Sequence, residues 1–593
     1  MNSRMKAAAA IILAASVVSS YAYAGEGAPA AKKHTVHKKV AAPKGPTVEE
    51  QIETLRQQLQ GQQGQIDALK SDLATKDEQL RQSQQQAADA QAAATKAQQD
   101  AAAQEQATSQ NMAAVTALQS TVTDLKANQA TVVSNLSDET SAIKKQINNP
   151  DAIHFKGTTI SFSGSFLAAE TVWRQGATGG DINTAFTGVP LQYSDAAQLS
   201  EFYGSGRQSR LAIKAVGKVP HFTMTGYYEA DWLSAGVTSN NNQSNSYTMR
   251  QRNLWADARM DTGWDFSGGT GWSLVTETTS GLQRGTEILP GTIDAQYTAG
   301  FVWNRQYSFR ITKDVAKKFF YGASVENAET LNPAGSGLPT NLLLGSAGTG
   351  GGLYNLNANY SFNKTPDFVA KLALEPGWGH WELFGIERNF RDRIYPASGA
   401  PYDDSIPGYG LGGGFRVPMA SKKVAFGLKG LYGKGVGRYG SSTIADITLR
   451  DWGGIEPLKG FSALSTLELN PNSRLNVYVN YGEDYIYRDY NGKLGYGSPL
   501  TDMSGCNTEV AAGGSFSPTN PAHCGSQNKD VQEFTIGEWY NMYAGPQGRL
   551  RFGLQYARFQ RDLWSGTGGP LNPNGVAKGV DNMFWTSFRY YLP

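Results

Sequence analysis

The sequence predicts an all-β transmembrane β-barrel of about 16 antiparallel strands, preceded by a long α-helical coiled coil. Three observations predict it. An export leader stands at the N-terminus, residues 47–149 keep one heptad register, and from about residue 151 short alternating segments rich in Gly, Tyr, Trp and Phe take over.

The leader is read over residues 1–24. Arg4 and Lys6 precede an apolar run from Ala7 to Val18, and Ala22-Tyr23-Ala24 supplies a small-x-small site, so cleavage is expected after Ala24. The run is shorter than the ~20 residues that span a bilayer as a helix, which disfavours a membrane anchor. No later segment reads as a spanning helix either, so residence in a membrane would have to rely on strands. Residues 25–46, GEGAPAAKKHTVHKKVAAPKGP, read as a basic flexible linker with solvated Lys and His side chains. Contact of this tract with anionic cell-wall polymer is a weaker reading, and metal binding by His34 and His37 weaker still.

Thr47 with Glu50 three residues later is a capping-box pattern. With Ile52 at position a, later a positions include Leu59, Ile66, Leu73, Leu80, Val115, Val122, Leu136 and Ile143, and d positions include Leu55, Leu69, Leu118, Leu125 and Val132. One straight helix cannot bury such a stripe, so partner helices are implied. Gln62, Lys76 and Gln129 on the seam weaken it while helping to set register, and residues 83–111 are Ala- and Gln-rich with a thin seam. Pro150 ends the run, giving a rod of roughly 140–150 Å at 1.5 Å per residue. The alternative is a single disordered, helix-prone linker.

Residues 151–593 carry the barrel signal. Only 18% of all residues are charged, below the roughly 25% of soluble domains. In 222–232, Phe222, Met224, Tyr228 and Trp232 share one face, and Thr223, Thr225, Tyr227, Glu229 and Asp231 the other. In 301–312, Phe301, Trp303, Tyr307, Phe309 and Ile311 oppose Asn304, Gln306, Ser308, Arg310 and Thr312. Leu475, Val477, Val479 and Tyr481 oppose Arg474, Asn476, Tyr478 and Asn480. Leu550, Phe552, Leu554 and Tyr556 oppose Arg549, Arg551 and Gln555. Phe584, Thr586, Phe588 and Tyr590 oppose Trp585, Ser587, Arg589 and Tyr591. A stripe of bilayer length facing out and a polar stripe facing in is the spanning-strand pattern. Connections alternate between short ones (218–220, 546–548) and long ones (176–206, 233–246, 488–529), as periplasmic turns and external loops do. A soluble sandwich or propeller fits less well, because neither face is needed for an internal apolar core and no blade-length repeat is found. Residues 264–300 and 437–460 are the segments whose strands are hardest to assign.

Lys+Arg is 53 and Asp+Glu 51, so the chain lacks the basic excess that nucleic-acid binding requires. There is no nucleophile elbow, H-E-x-x-H, P-loop or zinc-spaced cysteine cluster, so neither a catalytic site nor a metal or cofactor is expected. His380, beside Trp381, reads as a turn or girdle residue. Cys506 and Cys524 lie in a Gly/Ser/Asn/Pro-rich stretch of an exported chain, where pairing as a loop staple is favoured over a metal pair or free thiols.

Several segments, in order, resemble the DcaP-like trimeric outer-membrane porins. They are Ser209-Arg210-Leu211 with Gly226-Tyr227-Tyr228-Glu229-Ala230-Asp231-Trp232; Asn304-Arg305-Gln306-Tyr307-Ser308-Phe309-Arg310; Val325-Glu326-Asn327-Ala328-Glu329-Thr330, with Ala328 where the family has Pro; Pro366-Asp367-Phe368-Val369-Ala370-Lys371; and Tyr432-Gly433-Lys434-Gly435-Val436-Gly437-Arg438-Tyr439. The similarity covers roughly residues 155–450. It implies a homotrimer, a 16-stranded barrel in each subunit and diffusion of small anions such as dicarboxylates. The Leu592-Pro593 end departs from the aromatic terminus usual in outer-membrane barrels.

In a channel, selectivity follows from the charges lining the narrowest region. The alternation assigns Lys214, Glu229, Asp231, Arg310, Glu326, Lys371, Lys429, Arg474, Arg551 and Arg589 to the lumen, with Glu375. Arg250 and Arg252 are added, although Leu254 and Ala256 share their face. Cations exceed anions in this set, so a modest anion preference is expected, with self-association, outer-membrane lipid and small anionic solutes as partners. Arg305 interrupts an apolar face and is placed at a subunit interface. The competing readings are a substrate-specific outer-membrane receptor, for a siderophore or sugar, and a tether from outer membrane to cell wall through the Lys-rich 32–44 tract. A coiled coil fills the space where an active transporter would need a plug domain.

Overall fold

The computed structural model describes residues 152–593, except 185, 235–246, 333–338, 349–358, 510–522 and 571. The leader, the basic linker and the coiled coil lie outside the described residues.

Sixteen strands build the wall: β1 (Phe166–Arg174), β2 (Arg210–Val219), β3 (Phe222–Asp231), β4 (Arg250–Met260), β5 (Trp264–Trp272), β6 (Arg305–Val315), β7 (Phe319–Glu326), β8 (Asp367–Leu374), β9 (His380–Ile394), β10 (Tyr402–Met419), β11 (Val424–Lys434), β12 (Lys459–Leu469), β13 (Leu475–Ile486), β14 (Asn528–Gly545), β15 (Gly548–Leu563) and β16 (Lys578–Tyr591). Each pairs antiparallel with its neighbour. β16 closes on β1 from Met583↔Arg174 to Tyr591↔Phe166, which leaves no free edge. A short piece, Glu201–Ser205, continues β2 along β1. Ahead of β1, Ala152–Phe155 and Thr158–Ser161 form a hairpin, and Thr158–Ser161 pairs with Lys214–Gly217 of β2.

Burial explains why these residues choose this architecture. Along β8, Asp367, Val369, Lys371 and Ala373 are buried, while Phe368, Ala370, Leu372 and Leu374 are exposed. Charged residues inside and leucines outside invert the rule for a protein in water, and match a wall between lipid and a polar lumen. β16 repeats the pattern, with Trp585, Ser587 and Arg589 inside and Phe584 and Phe588 outside. Turns of a few residues join β2–β3, β4–β5, β6–β7, β8–β9, β10–β11, β12–β13 and β14–β15, and every connection at the other rim is longer.

Two expectations shift. The strand expected from residue 301 begins at Arg305. Phe301 and Trp303 belong to the loop before it, where Phe301 is buried and Trp303 Nε1 donates to Ser441 Oγ at 2.8 Å. Of residues 437–460, all but the last two, which open β12, lie in a long connection that carries a short hairpin, Ile447–Leu449 with Ile455–Pro457. In the connection between β13 and β14, a disulfide joins Cys506 and Cys524, whose Cα atoms are 4.9 Å apart.

Candidate functional site

The connection between β5 and β6, residues 273–304, folds inward and is strapped across the lumen. Leu274 N–H donates to Glu326 on β7 (2.9 Å), and Thr278 N–H to Glu382 on β9 (2.9 Å). Lys371 on β8 donates to the Thr276 carbonyl at 2.7 Å, and Arg416 on β10 pairs with Glu277 at 2.7 Å. Farther along, Trp539 Nε1 on β14 donates to the Gly291 carbonyl at 2.8 Å. The Ile293 N–H reaches Gln555 on β15 at 2.7 Å, and the Ile293 carbonyl accepts from Arg589 on β16 at 2.6 Å. The return leg donates Ala299 N–H to Glu533 (2.7 Å) and Gly300 N–H to Asp484 on β13 (3.0 Å). Wall carboxylates thus accept backbone N–H groups that no ladder satisfies, which is what allows irregular backbone inside a barrel.

Close packing completes the strap. Gly300 adopts a left-handed φ of +74°, and a methyl group there would run into the Ala463 carbonyl. Gly482 on β13 faces the Ala299 carbonyl in the same way. Glycine is required at both where loop backbone meets wall backbone.

Beside residues 289–297 of the loop is a cavity of about 300 Å³, lined by Phe166, Arg210, Arg252, Trp539, Arg551 and Arg589 among others, with Asp294 the one carboxylate on its surface. Arg252 donates to Glu229 and Asp231, both at 2.6 Å, and to Gln296 at 2.8 Å. Arg250 pairs with Asp231 at 2.9 Å, Arg210 lies 3.6 Å from Glu229, and Arg589 donates through Nε to Glu170 at 2.9 Å. Arg551 stacks over the Trp539 ring at 4.6 Å and has no ion pair among the described residues. Asp294 accepts from Thr184 N–H at 3.1 Å, and its burial pushes the carboxyl well above the usual carboxylate range, with Glu170 and Glu533 adding to the effect. The cavity therefore presents a surplus of positive charge.

The ambiguous face of β4 has a physical cause. The pairing with β3 runs Glu229↔Asn253 and then Ala230↔Gln251, so Arg252 is the extra residue of a β-bulge. Arg252 and Asn253 are both buried, and the alternation reverses, which turns Leu254 outward.

The other expected residues fall into three places. Glu326, Lys371, Lys429 and Arg310 hold the loop or its anchors: Lys371 and Lys429 each lie 2.6 Å from Glu382, and Arg310 pairs with Glu287 of the loop at 3.1 Å. Lys214 is exposed on β2. Arg474 sits exposed in the turn before β13, outside the wall. His380 is not a girdle residue; it is buried, with Nε2 3.1 Å from Glu382 and Nδ1 3.2 Å from Glu375. Arg305 lies over Trp272 and Trp303, at 5.5 and 6.0 Å from the rings. Glu170, Arg210, Glu382, Asp484, Glu533 and Trp539 were not anticipated. For Asp484 a signal existed, since it continues the inward parity of Tyr478 and Asn480.

No family model and no curated protein matches the chain. Among solved structures, the outer membrane channel DcaP of Acinetobacter baumannii aligns over 74% of this chain and 99% of its own, with a TM-score of 0.50 at 16% identity. Looser overlaps are an anion-selective porin from Comamonas acidovorans (73% and 99% covered, 11% identity, TM-score 0.38) and Salmonella typhi OmpF in complex with daunomycin (74% and 99%, 10%, 0.38). The described chain is a closed, sixteen-stranded antiparallel barrel with the fold of the DcaP outer-membrane channel.

Proposed function

We propose that this protein is an outer-membrane porin through which small hydrophilic solutes, preferentially anions, diffuse passively. The observation that carries the reading is the set of four arginines against one buried carboxyl around the cavity beside the inward loop. Fixed charge in a water-filled, low-dielectric passage raises the local concentration of counter-ions, so positive linings favour anions. The exposed Leu, Phe and Tyr side chains of the outer wall suit a bilayer. In the same reading the subunit works as a homotrimer in the bacterial outer membrane, with residues 47–149 as a periplasmic coiled coil. Lys214, Glu229, Asp231, Arg250, Arg252, Arg310, Glu326, Lys371, Lys429, Arg551 and Arg589 then act as wall charges of the passage.

The test is single-channel conductance of the full chain in planar bilayers, with the reversal potential under a KCl gradient. Openings in three steps with chloride preference are expected. A cation-favouring reversal potential would overturn the anion preference, and absence of conductance would overturn the porin.

A further inference from the structure

Toward the outer rim, Asp392 of β9 faces inward and is 2% exposed, yet neither carboxylate oxygen has a hydrogen-bond partner among the described residues. Its direct cross-strand partner is Asp404 of β10. Same-face side chains so paired have Cβ atoms about 4.5–5.5 Å apart. The surroundings are apolar: Phe390, Ile447, Leu449 and Ile455 form one cluster, with Leu342, Leu344 and Ile406 packed on it. Asp404 Oδ2 accepts the Ile455 N–H at 3.1 Å, and so ties the Ile447–Pro457 hairpin to the inside of the wall.

Among the described residues, the charged groups nearby pair elsewhere or lie away from this face. Arg388, the next basic residue along the inner face of β9, donates to Asp367 (3.1 Å) and Asp446 (2.7 Å). Arg393 pairs with Asp403 at 2.6 Å on the outer face, where Arg391 also belongs by alternation. On the hairpin, Glu456 pairs with Lys434 (3.2 Å) and Arg450 (3.3 Å), and Asp451 is exposed at the tip. The strand piece Leu342–Leu343 brings no ionisable side chain. The outer face of β9 turns from Trp381 and Leu383 to Glu387, Asn389, Arg391 and Arg393, so this end of the strand stands beyond the apolar belt, within reach of external protons.

A buried carboxyl without a hydrogen-bond partner, set opposite the half-buried Asp404 and with no cation paired to either among the described residues, does not ionise cheaply. We propose that Asp392, held opposite the Asp404 side chain that ties down Ile455, acts as a pH-sensitive latch that holds the Ile447–Pro457 hairpin against the inner wall of the channel mouth. Burial, with the Asp404 charge opposite, makes the Asp392 carboxyl keep its proton to higher pH when the hairpin is docked than when it is released. Docking is therefore fully supported at low pH and is lost as pH rises through deprotonation of Asp392, because hydrating a new negative charge beside Asp404 brings water into the apolar cluster. The proposal is independent of which ions pass.

Amide hydrogen exchange of the full chain, read on peptides covering residues 444–458 and corrected for the intrinsic pH dependence of exchange, tests it. Protection is expected to fall by about tenfold or more between about pH 6 and about pH 9. Asp392→Asn should keep the hairpin protected at the upper pH, with barrel integrity checked by heat-dependent gel mobility. Asp404→Asn, which keeps an acceptor for Ile455, should do the same. Unchanged protection in the native protein, or an equal fall in both variants, overturns the latch. So does a fall at low pH on chelation that calcium reverses, since a cation rather than a proton would then neutralise the pair. Failure of the porin reading appears in the reversal potential and leaves this exchange result untouched.

Discussion

At the scale of single residues, Arg551 and Asp294 separate charge that is free to act from charge that is already spoken for. Arg252 and Arg589 are held by carboxylates, whereas Arg551 stacks on Trp539 and meets the Tyr591 hydroxyl without a carboxylate partner among the described residues. Arg551→Ala is therefore expected to lower the chloride-to-potassium permeability ratio by about twofold, read from the reversal potential, with the barrel intact by heat-dependent gel mobility. Asp294 acts in the opposite direction. Its raised carboxyl is neutral at low pH and ionises as pH rises, which adds a negative charge beside the arginines. Chloride preference should therefore decline with rising pH, and in Asp294→Asn the decline should be absent. Residue identity on the inner face was readable where alternation is regular, as for Arg310, Lys371 and Arg589. It was not readable at Arg252, because a bulge arises from pairing with a second strand. Nor was it readable at Arg474, because parity does not say where a strand starts.

At the scale of elements, the inward loop depends on its glycine contact. In Gly300→Ala the added methyl cannot fit against the Ala463 carbonyl and φ +74° becomes strained. A penalty of about 1–3 kcal/mol is expected. Because the wall ladder does not involve this residue, the barrel should persist while exchange protection of residues 295–304 falls and conductance becomes noisier. If protection is unchanged, the return leg is not held by this contact. The loop itself was invisible in the sequence, where residues 264–300 resisted assignment. It has no periodicity of its own, and its partners Glu326, Glu382, Asp484 and Glu533 lie on strands far along the chain, so nothing local announces it.

At the scale of the molecule, closure by sixteen strands was legible from alternating faces and from the contrast of short and long connections. Both follow from a bilayer on one side and water on the other. A whole-barrel field produced by exposed and half-buried arginines should be screened by salt. The chloride preference is expected to shrink between about 0.1 M and about 1 M KCl as the Debye length falls from about 10 to 3 Å. A preference that does not change would instead require a tight, dry binding step. The rim hairpins and the burial of Asp392 opposite Asp404 were beyond the reach of pattern reading, because they depend on which long connection folds inward.

The hairpin ahead of β1 has a mechanical consequence. Ala152–Phe155 is bonded to Thr158–Ser161, and the latter is sewn to β2. A pull arriving from upstream residues acts at Ala152, opposite Ser161, at the open end of this hairpin. Loaded there, the pairs separate in turn, as in a zipper, from Ala152↔Ser161 toward Phe155↔Thr158. The first strand thus yields at low force and lengthens the leash, while the wall, whose ladder is loaded in shear and closed on itself, keeps its shape.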